Sequence, residues 1–407
     1  MSGNKTGKKV AILTNNLICG MNKRYFSMLE KYFVSNGWII STNFDAELVV
    51  FSACGFHDLM HGAVKASLEQ LKAINFPREK IILMGCQLKT HEQELKKLFD
   101  GCIVEAGNES LLDGMIHAEV PYSSIEVTNV YNSPVEEAER EKNQLFSILI
   151  EDGCLKQCTF CVVNKARGDI KSTALNEIEA QFRLAVKAGY TKIELMGVDT
   201  FGYGYDCGTN IIELMEYLLK IEPNVKFYFG NLHIRWLNLY WEGILSLCKR
   251  GFINSLHIGL QHVNDEILIK MGRPAGFQES YKIICKFKEE CPNLFITADF
   301  IVGFPGETDD MFKELRDFFE KDQCLNMFFF HEYSDIKGAP SSKFKDKVKP
   351  EKIMVRWNKL KNAAGGRNPR IALCNISESE KSYYRDAFNK KSEPGGYYFC
   401  KETYVEL

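Results

Sequence analysis

The stretch Cys154-Leu-Lys-Gln-Cys158-Thr-Phe-Cys161 decides how the rest of this chain is interpreted. It follows directly on the apolar run Leu145-Phe-Ser-Ile-Leu-Ile150, so it is predicted to be a loop at the carboxyl end of a β-strand. A loop of this length can turn three thiolates towards one point, and three is one fewer than the four ligands that a cubane iron–sulfur cluster usually takes. The spacing therefore predicts a cluster with one open iron.

Two other interpretations fit three cysteines. One is a zinc site that a distant fourth ligand completes, and the other is a set of unrelated free thiols. Structural zinc sites typically show paired C-x2-C units in a small module, and the chain contains no second pair of that kind. The spacing thus favours the iron–sulfur cluster.

Length and composition limit the class of protein. With 407 residues, of which 45% are hydrophobic, the chain is long enough for about two or three domains with sizeable cores. Its opening, Met1-Ser-Gly-Asn-Lys-Thr-Gly-Lys-Lys9, has no apolar signal core, so the 14 cysteines are expected to be reduced and the protein cytoplasmic. No apolar run reaches the length of a bilayer span, so no membrane role is expected. The net charge of −2 weakens the case for a nucleic-acid substrate without excluding a local basic patch.

Residues 1–135 are predicted to form a parallel α/β sheet domain. Apolar runs at 9–14, 46–51 and 80–84 are each followed by a helix-like stretch, and their continuous apolarity suits strands buried on both faces. Within a few residues of each run stands a cysteine: Cys19, Cys54 and Cys86. Because parallel strands end at one edge of a sheet, the three thiols are expected to meet and to bind a second cluster. Each of them alone is also compatible with an ordinary buried cysteine.

Residues 143–340 are predicted to form a partial (β/α)6 barrel, in which strands and helices alternate. The predicted strands are 145–150, 192–196, 226–229, 255–260, 295–302 and 327–333, and the predicted helices are 175–188, 211–220, 240–250, 278–290 and 309–321. In such barrels the working residues lie where strands end and loops begin. The polar stretch 127–144 is interpreted as a linker. Residues 341–407 are expected to be a short extension with a helix at 350–363 and strand candidates at 370–374 and 396–400, too few for a closed barrel.

The cysteine motif matches the cluster signature of radical S-adenosylmethionine (SAM) enzymes, with Phe160 as the aromatic residue commonly found before the third cysteine. Arg167-Gly168, Ser172 and Ile301-Val-Gly-Phe-Pro-Gly-Glu-Thr308 resemble the methylthiotransferase branch of that superfamily. The three upstream cysteines do so as well, since an amino-terminal domain with three cysteines for an additional four-iron cluster characterises this branch. The resemblance covers about residues 8–360. It implies SAM and two [4Fe–4S] clusters as cofactors, with six metal ligands: Cys19, Cys54, Cys86, Cys154, Cys158 and Cys161.

The resemblance also implies contacts with SAM. Met196-Gly-Val-Asp199-Thr200 is similar to the branch's segment for the methionine part, and Thr297-Ala-Asp299-Phe-Ile-Val-Gly303 to the strand that supports the nucleoside. Leu260-Gln261 and Ile269-Lys-Met271-Gly-Arg273 resemble the Gln-containing strand end and the Lys-x-Met-x-Arg helix. The expected cofactor-binding residues are therefore Phe160, Arg167, Gly197, Asp199, Thr200, Gln261, Thr297, Asp299 and Gly303. The chain departs from the branch pattern at Asn164, His262-Val-Asn264 and Glu332, which bears on the shape of the substrate pocket more than on the cofactor chemistry.

The remaining candidate ligands are expected to be structural. His331 is predicted to be a hydrogen-bonded strand residue rather than a metal ligand. Eight cysteines without ligand spacing are expected to be core or surface thiols: Cys102, Cys207, Cys248, Cys285, Cys291, Cys324, Cys374 and Cys400.

The resemblance predicts a radical SAM methylthiotransferase that inserts a methylthio group at an unactivated C–H carbon through a 5'-deoxyadenosyl radical. A peptide or protein side chain is favoured as substrate by the Asp199-Thr200 variant, the weak net charge and the reduced carboxyl-terminal module. The alternatives are the same chemistry on tRNA, sulfur insertion or electron relay by the auxiliary cluster, and an iron–sulfur redox sensor. A monomer that receives electrons from a flavodoxin or ferredoxin is expected.

Overall fold

The computed structural model describes residues 7–14, 20–41, 45–53, 58–85, 87–105, 108–125, 145–155 and 157–363. The predicted ligands Cys19, Cys54 and Cys86 lie outside these residues, as do the predicted linker and the strand candidates 370–374 and 396–400. Among the described residues, no helix combines the length and the apolarity needed to cross a membrane.

The amino-terminal region is a five-stranded parallel sheet in the order β2-β1-β3-β4-β5. Its strands are β1 (Lys9–Thr14), β2 (Ile39–Ser41), β3 (Leu48–Ser52), β4 (Ile81–Met84) and β5 (Cys102–Val104). Its helices are α1 (Gly20–Ser35), α2 (Asp58–Ala73), α3 (Gln87–Thr90), α4 (Glu92–Leu98) and α5 (Leu111–Ile116). The predicted parallel α/β sheet is confirmed.

Two hydrophobic clusters explain why the central strands are apolar throughout. Val50 of β3 packs with Tyr32 of α1 on one face of the sheet, whereas Val49 and Phe51 pack with Leu71 of α2 on the other. All five residues of β3 and all four of β4 are buried. Helices on both faces therefore require the unbroken apolar runs that are typical of parallel sheets.

The second region contains the remaining strands, which follow one another in sequence order. One sheet comprises β6 (Leu145–Leu149), β9 (Lys192–Met196) and β10 (Lys226–Phe229), and another comprises β11 (Asn231–His233), β12 (Ser255–Gln261), β13 (Phe295–Val302) and β14 (Met327–Glu332). A parallel bridge between Phe227 and Ile253 joins the two sheets. All six predicted strands are present to within one residue at either end. β7 (Glu151–Asp152) and β8 (Lys171–Ser172) form a separate antiparallel pair.

Eight helices of the described chain accompany these strands: α6 (Val163–Arg167), α7 (Leu175–Lys187), α8 (Ile211–Ile221), α9 (Ile234–Lys249), α10 (Asp265–Lys270), α11 (Phe277–Glu290), α12 (Asp309–Lys321) and α13 (Pro350–Ala363). A large core lies between the helices and one face of the sheets. Phe319 of α12, for example, packs edge-to-face on Phe300 of β13 and Phe328 of β14, each at a centroid distance of 4.8 Å. Since the helices cover that face, the opposite side chains of the strands line the barrel interior.

One prediction about the cysteines was wrong. Cys285 of α11 and Cys324, which precedes β14, form a disulfide with a Cα–Cα distance of 5.3 Å. They are 39 residues apart, and only the return of the chain to the start of β14 brings them together. Local spacing along the sequence contains no signal for such a pair.

Candidate active site

The motif cysteines lie on a short loop, residues 153–162, that follows β7; we call it the cysteine loop. Its entrance is fixed by the pairing of Asp152 with Lys171 and by a hydrogen bond from the Cys154 amide to the Gly168 carbonyl (3.1 Å). Gly153 has φ +94°, and a β-carbon there would overlap the Asp169 carbonyl. Glycine is required at this point because the backbone is left-handed and its neighbour is too close for a side chain.

The three thiols of the cysteine loop are partly buried neighbours. Burial, together with the proximity of Cys158 and Cys154, raises the pKa of the Cys161 thiol to about 12. The Val163 amide, at the start of α6, donates to Cys161 Sγ over 3.4 Å. Three thiols without a competing carboxylate are the donor set that iron–sulfur clusters take, and coordination to a metal deprotonates a thiol despite a raised pKa.

The described residues contain no three His, Cys, Asp or Glu side chains already arranged to hold a metal ion. The sulfurs of the cysteine loop therefore have to turn towards one another for a cluster to bind. The donor chemistry fits the predicted cluster, whereas the assignment of the individual ligands stays a prediction.

The end of α10 forms a floor beneath the cysteine loop. Thr159 is bonded twice to this floor, its amide to the Met271 carbonyl (2.9 Å) and its hydroxyl to the Lys270 carbonyl (2.8 Å). Gly272 has φ +73°, and a β-carbon there would overlap the Gln157 carbonyl oxygen. The segment that resembles the branch's Lys-x-Met-x-Arg helix thus fixes the loop through backbone contacts.

Arg273 places a positive charge beside the thiols. Its side chain is only 8% exposed, its Nη1 donates to the Gly259 carbonyl (2.6 Å), and its guanidinium lies 5.8 Å from the ring centroid of Phe160. This charge lowers the pKa of Cys161 and so partly opposes the effect of burial. Arg273 was part of a motif in the sequence but was not predicted as a site residue.

His233 is a second neighbour of the thiols that the sequence analysis missed. It caps the amino terminus of α9, where its Nδ1 accepts the Arg235 amide (3.1 Å), and its Nε2 lies 3.7 Å from Cys158 Sγ. Burial, together with the nearby Arg273 and Arg235, lowers the pKa of His233 to about 2. This helix was predicted to begin at residue 240, six residues later than it does, so its cap was not recognised.

Asp199 and Thr200 follow β9 and are held by groups of the protein itself. Asp199 Oδ1 accepts a hydrogen bond from Trp236 Nε1 (2.8 Å), and Thr200 is 1% exposed with its hydroxyl 3.5 Å from the Gly197 carbonyl oxygen. Burial raises the pKa of Asp199. Contact of these two residues with SAM stays a prediction.

Glu151 supports this segment from below. Its Oε1 accepts the Asp199 amide (2.6 Å) and occupies the place that a side chain at Gly197 would need. Its other oxygen, Oε2, is buried and has no hydrogen-bond partner among the described residues. Burial raises the pKa of Glu151 to about 8. Gly197 is therefore a glycine because of Glu151, which the sequence did not indicate.

Thr297 and Asp299 of β13 lie in a row of polar side chains. His257 of β12 lies 2.7 Å from Thr297 Oγ1 through Nδ1 and 2.8 Å from Asp299 Oδ2 through Nε2. His331 Nε2 lies 3.1 Å from Asp299 Oδ1, which confirms that His331 is a hydrogen-bonded strand residue. The predicted contact of Thr297 and Asp299 with the ribose of SAM is not tested by these bonds.

The three other residues that were predicted to contact SAM lie in different parts of the barrel. Gln261 is buried at φ +70°, where a bulge interrupts the pairing of β12 with β13. Arg167 forms an ion pair with Asp152 (3.1 Å). Gly303 donates its amide to Glu307 (2.6 Å), and a β-carbon there would overlap Ile353 of α13. Gly303 thus lies at the joint between the barrel and α13.

The amino-terminal sheet meets the barrel beside the cysteine loop. Helix α3, which begins one residue after Cys86, packs against α6, which begins two residues after Cys161. Met21 of α1 packs on Met196 at the end of β9. The edge of the sheet that carries predicted cluster ligands therefore faces the cysteine loop.

Comparison with known proteins adds an independent finding. Residues 148–319 match the family model of the radical SAM superfamily, and residues 11–113 match that of the uncharacterized protein family UPF0004. The chain is 28% identical over 369 residues to the ribosomal protein uS12 methylthiotransferase RimO of Aeromonas salmonicida, covering 87% of this chain and 80% of that protein. It is 29% identical over 363 residues to RimO of Carboxydothermus hydrogenoformans, covering 85% and 80%.

Among solved structures, the radical SAM methyltransferase TsrM from Kitasatospora setae, with tryptophan and a SAM analogue bound, superimposes with a TM-score of 0.56 at 13% identity. The superposition covers 82% of this chain and 75% of TsrM. This likeness concerns the fold alone. The chain therefore combines a UPF0004 domain with a radical SAM domain, which implies a [4Fe–4S] cluster and SAM, and it is distantly homologous to RimO methylthiotransferases over most of its length.

Proposed function

We propose that this enzyme attaches a methylthio group to an unactivated carbon of a peptide or protein side chain. Cys154, Cys158 and Cys161 hold one [4Fe–4S] cluster, and Asp199 and Thr200 contact the methionine part of SAM. When bound, the cluster and SAM supply the 5'-deoxyadenosyl radical that removes a hydrogen atom from the substrate. The protein's own residues place the reactants and keep water out.

The packing of the amino-terminal sheet beside the cysteine loop is the observation that supports the proposal. Ala53 and Gly85, the last described residues before Cys54 and Cys86, are in contact: a β-carbon on Gly85 would lie 2.7 Å from the Ala53 carbonyl oxygen. The packing of α3 on α6 places this part of the sheet beside the cysteine loop. A second cluster bound by Cys19, Cys54 and Cys86 would thus stand next to the source of the radical. Methylthiolation needs that proximity, whereas hydrogen abstraction alone does not.

The proposal assigns a separate role to each of three segments of the chain. Residues 1–135 hold the second cluster, residues 143–340 form the radical-generating barrel, and residues 341–407 comprise α13, which packs on the barrel, and a short tail.

The choice of a peptide or protein substrate rests on two facts. The relatives are named as methylthiotransferases of the ribosomal protein uS12, and the net charge of −2 offers no general attraction to an RNA backbone. The same chemistry on tRNA is the competing outcome of the test below.

The test compares the wild-type chain with two triple variants, one with Cys19, Cys54 and Cys86 changed to Ala and one with Cys154, Cys158 and Cys161 changed to Ala. After anaerobic reconstitution, we expect about eight iron atoms per wild-type chain and about four in each variant, since each cubane contains four. The first variant should still release 5'-deoxyadenosine from SAM without making product. If the variant without Cys154, Cys158 and Cys161 retains no iron, the assignment of a cluster to Cys19, Cys54 and Cys86 is wrong.

Substrate is identified with wild-type holoenzyme, SAM and a reductant. Synthetic peptides that tile ribosomal protein uS12 and total tRNA are incubated separately, and mass spectrometry detects a methylthio group in place of hydrogen. Modification of a peptide supports the proposal. Modification of tRNA alone overturns the proposal of a peptide or protein substrate. Failure to release 5'-deoxyadenosine under any condition overturns the radical mechanism.

A further inference from the structure

Three adjacent strands of the barrel carry polar side chains on the face that the helices do not cover. His257 of β12 is paired in register with Thr297 of β13, and Asp299 of β13 with Phe329 of β14. The alternate residues Ile258, Ala298 and Phe328 belong to the hydrophobic core beneath the helices. Because successive side chains of a strand point to opposite faces, His257, Asp299 and His331 face the barrel interior.

The hydrogen bonds of this row leave one atom free. Both oxygens of Asp299 are engaged, Oδ2 with His257 Nε2 (2.8 Å) and Oδ1 with His331 Nε2 (3.1 Å). The other nitrogen of His257 is engaged with Thr297 (2.7 Å). For Nδ1 of His331, the described part of the chain provides no partner.

The exposed fraction of the side chain also differs among the three ionisable residues of the row. The side chain of Asp299 is 14% exposed, that of His257 27% and that of His331 37%. Asp299, in the middle of the row, is thus the most enclosed of these three side chains, and His331 is the one most accessible to a molecule that enters the barrel.

The protonation of Asp299 fixes the tautomer of His331. Burial acts to raise the pKa of Asp299, but the two imidazoles outweigh it and hold that pKa far below its usual range. Asp299 is therefore a carboxylate, which only accepts hydrogen bonds. His331 Nε2 must donate, so in the uncharged ring Nδ1 keeps its lone pair.

We propose that His331 Nδ1 is a substrate-binding group: it accepts a hydrogen bond from an N–H or O–H group of the side chain that is modified. Asp299, His257 and Thr297 are positioning residues that fix the ring and its tautomer. The inference rests on the proposed function, in which a side chain enters the barrel. It names the class of that side chain, one with a hydrogen-bond donor near the reacting carbon.

The amino group of the SAM adenine offers the same chemistry, an N–H donor, so the test has to separate the two sources. His331→Phe removes the acceptor and keeps an aromatic ring, and His331→Gln restores a donor towards Asp299 together with a carbonyl acceptor. Both are reconstituted as holoenzymes, and their iron content and circular dichroism establish that they fold.

The probes are SAM itself and the uS12 peptide that wild type modifies. We expect His331→Phe to raise the KM for the peptide about tenfold, the loss of about one hydrogen bond, and to release more 5'-deoxyadenosine per product formed. The dissociation constant of SAM should stay within about twofold of wild type. His331→Gln should recover most of the peptide KM.

Three results would overturn the inference. Weaker SAM binding with an unchanged peptide KM would assign Nδ1 to the adenine amino group. Unchanged KM and unchanged coupling in His331→Phe would leave His331 as a strand residue only. Equal turnover of peptides in which the modified residue is replaced by Leu would exclude recognition of a donor. Failure of the proposed function is separate, because it shows in the wild-type enzyme as the absence of any modified peptide.

Discussion

His233 Nε2 lies 3.7 Å from Cys158 Sγ, and the chain itself determines that the proton of the ring is directed at the sulfur. The backbone amide of Arg235 donates to His233 Nδ1, so the proton of the neutral imidazole has to reside on Nε2. The guanidinium of Arg235 bonds Gln157 as well, which ties the start of α9 to the cysteine loop. Hydrogen bonds to cluster sulfurs are among the factors that set reduction potentials.

Replacing His233 should therefore make the cluster of the cysteine loop harder to reduce. A donor to sulfur stabilises the more negative reduced state, so we expect His233→Phe to lower the midpoint potential. The measurement is a potentiometric titration monitored by electron paramagnetic resonance, in the variant that lacks Cys19, Cys54 and Cys86. His117→Asn, in the amino-terminal region, is the control and should leave the potential unchanged. An unchanged potential in His233→Phe would show that no such bond exists in the holoenzyme.

Gly272→Ala should prevent the cysteine loop from holding its cluster. A β-carbon at this position would overlap the Gln157 carbonyl oxygen, and the backbone is left-handed at φ +73°. Gly276→Ala is a matched control because φ there is +91° but no atom lies within 4 Å of the added carbon. It should cost about 1 kcal/mol of stability and keep its iron. Iron content after reconstitution decides between the two, and full iron content in Gly272→Ala would contradict the role of the floor.

The strands were predicted well because a strand that is buried on both faces has a continuous apolar sequence. β3, β4 and β13 are apolar along most of their lengths, and a helix follows each of them. The edge strands β2 and β5 were missed, since each has only three residues and neither is fully buried. The cysteine loop was recognised because its three cysteines lie within eight consecutive residues.

The surroundings of the site could not be predicted, because they depend on residues that are distant in sequence. His233 is 75 residues from Cys158, and Glu151 is 48 residues from Asp199. Thr297 and Asp299 were recognised as polar residues at a strand, but their partner His257 is about 40 residues away on another strand. Periodicity and motif spacing report local structure, whereas these contacts arise from the order of strands in the barrel.

Glu151 should make stability depend on pH. Burial raises the pKa of its carboxyl from 4.5 to about 8, although the Asp199 amide opposes this. Because the folded state binds the proton more tightly than the unfolded state, the contribution of the protonated acid is complete below about pH 4.5 and is lost as pH rises through about 8. Glu151→Gln stays neutral throughout.

We therefore expect the stability of wild type relative to Glu151→Gln to fall by about 3 kcal/mol between about pH 5.5 and 8.5. Urea unfolding of the apoprotein at several pH values, followed by circular dichroism, measures the difference. Glu177→Gln, at an exposed position, is the control, and its free energy of unfolding should change with pH in the same way as that of wild type. Parallel curves for Glu151→Gln would mean that the buried carboxyl does not titrate in this range.

Arg356 of α13 should be essential for the joint between the barrel and the carboxyl-terminal helix. Its Nη1 bonds Glu307 Oε1 (2.8 Å) and the Glu307 carbonyl (3.0 Å), and the side chains of the pair are 3% and 0% exposed. Glu307 in turn accepts the Gly303 amide (2.6 Å). Arg356→Met leaves this carboxylate buried without its cation, which should cost about 3–5 kcal/mol.

Two further variants separate burial from charge in this prediction. Lys352→Met, one turn earlier on α13, breaks an ion pair with Asp309 in which the side chains are 47% and 74% exposed, and should cost less than about 1 kcal/mol. Arg356→Met combined with Glu307→Gln removes both charges and should regain part of the loss, because Gln keeps an acceptor for the Gly303 amide. Urea unfolding and hydrogen exchange of α13 provide the measurements. Equal losses for Arg356→Met and Lys352→Met would show that the buried pair does not hold the helix to the Gly303 loop.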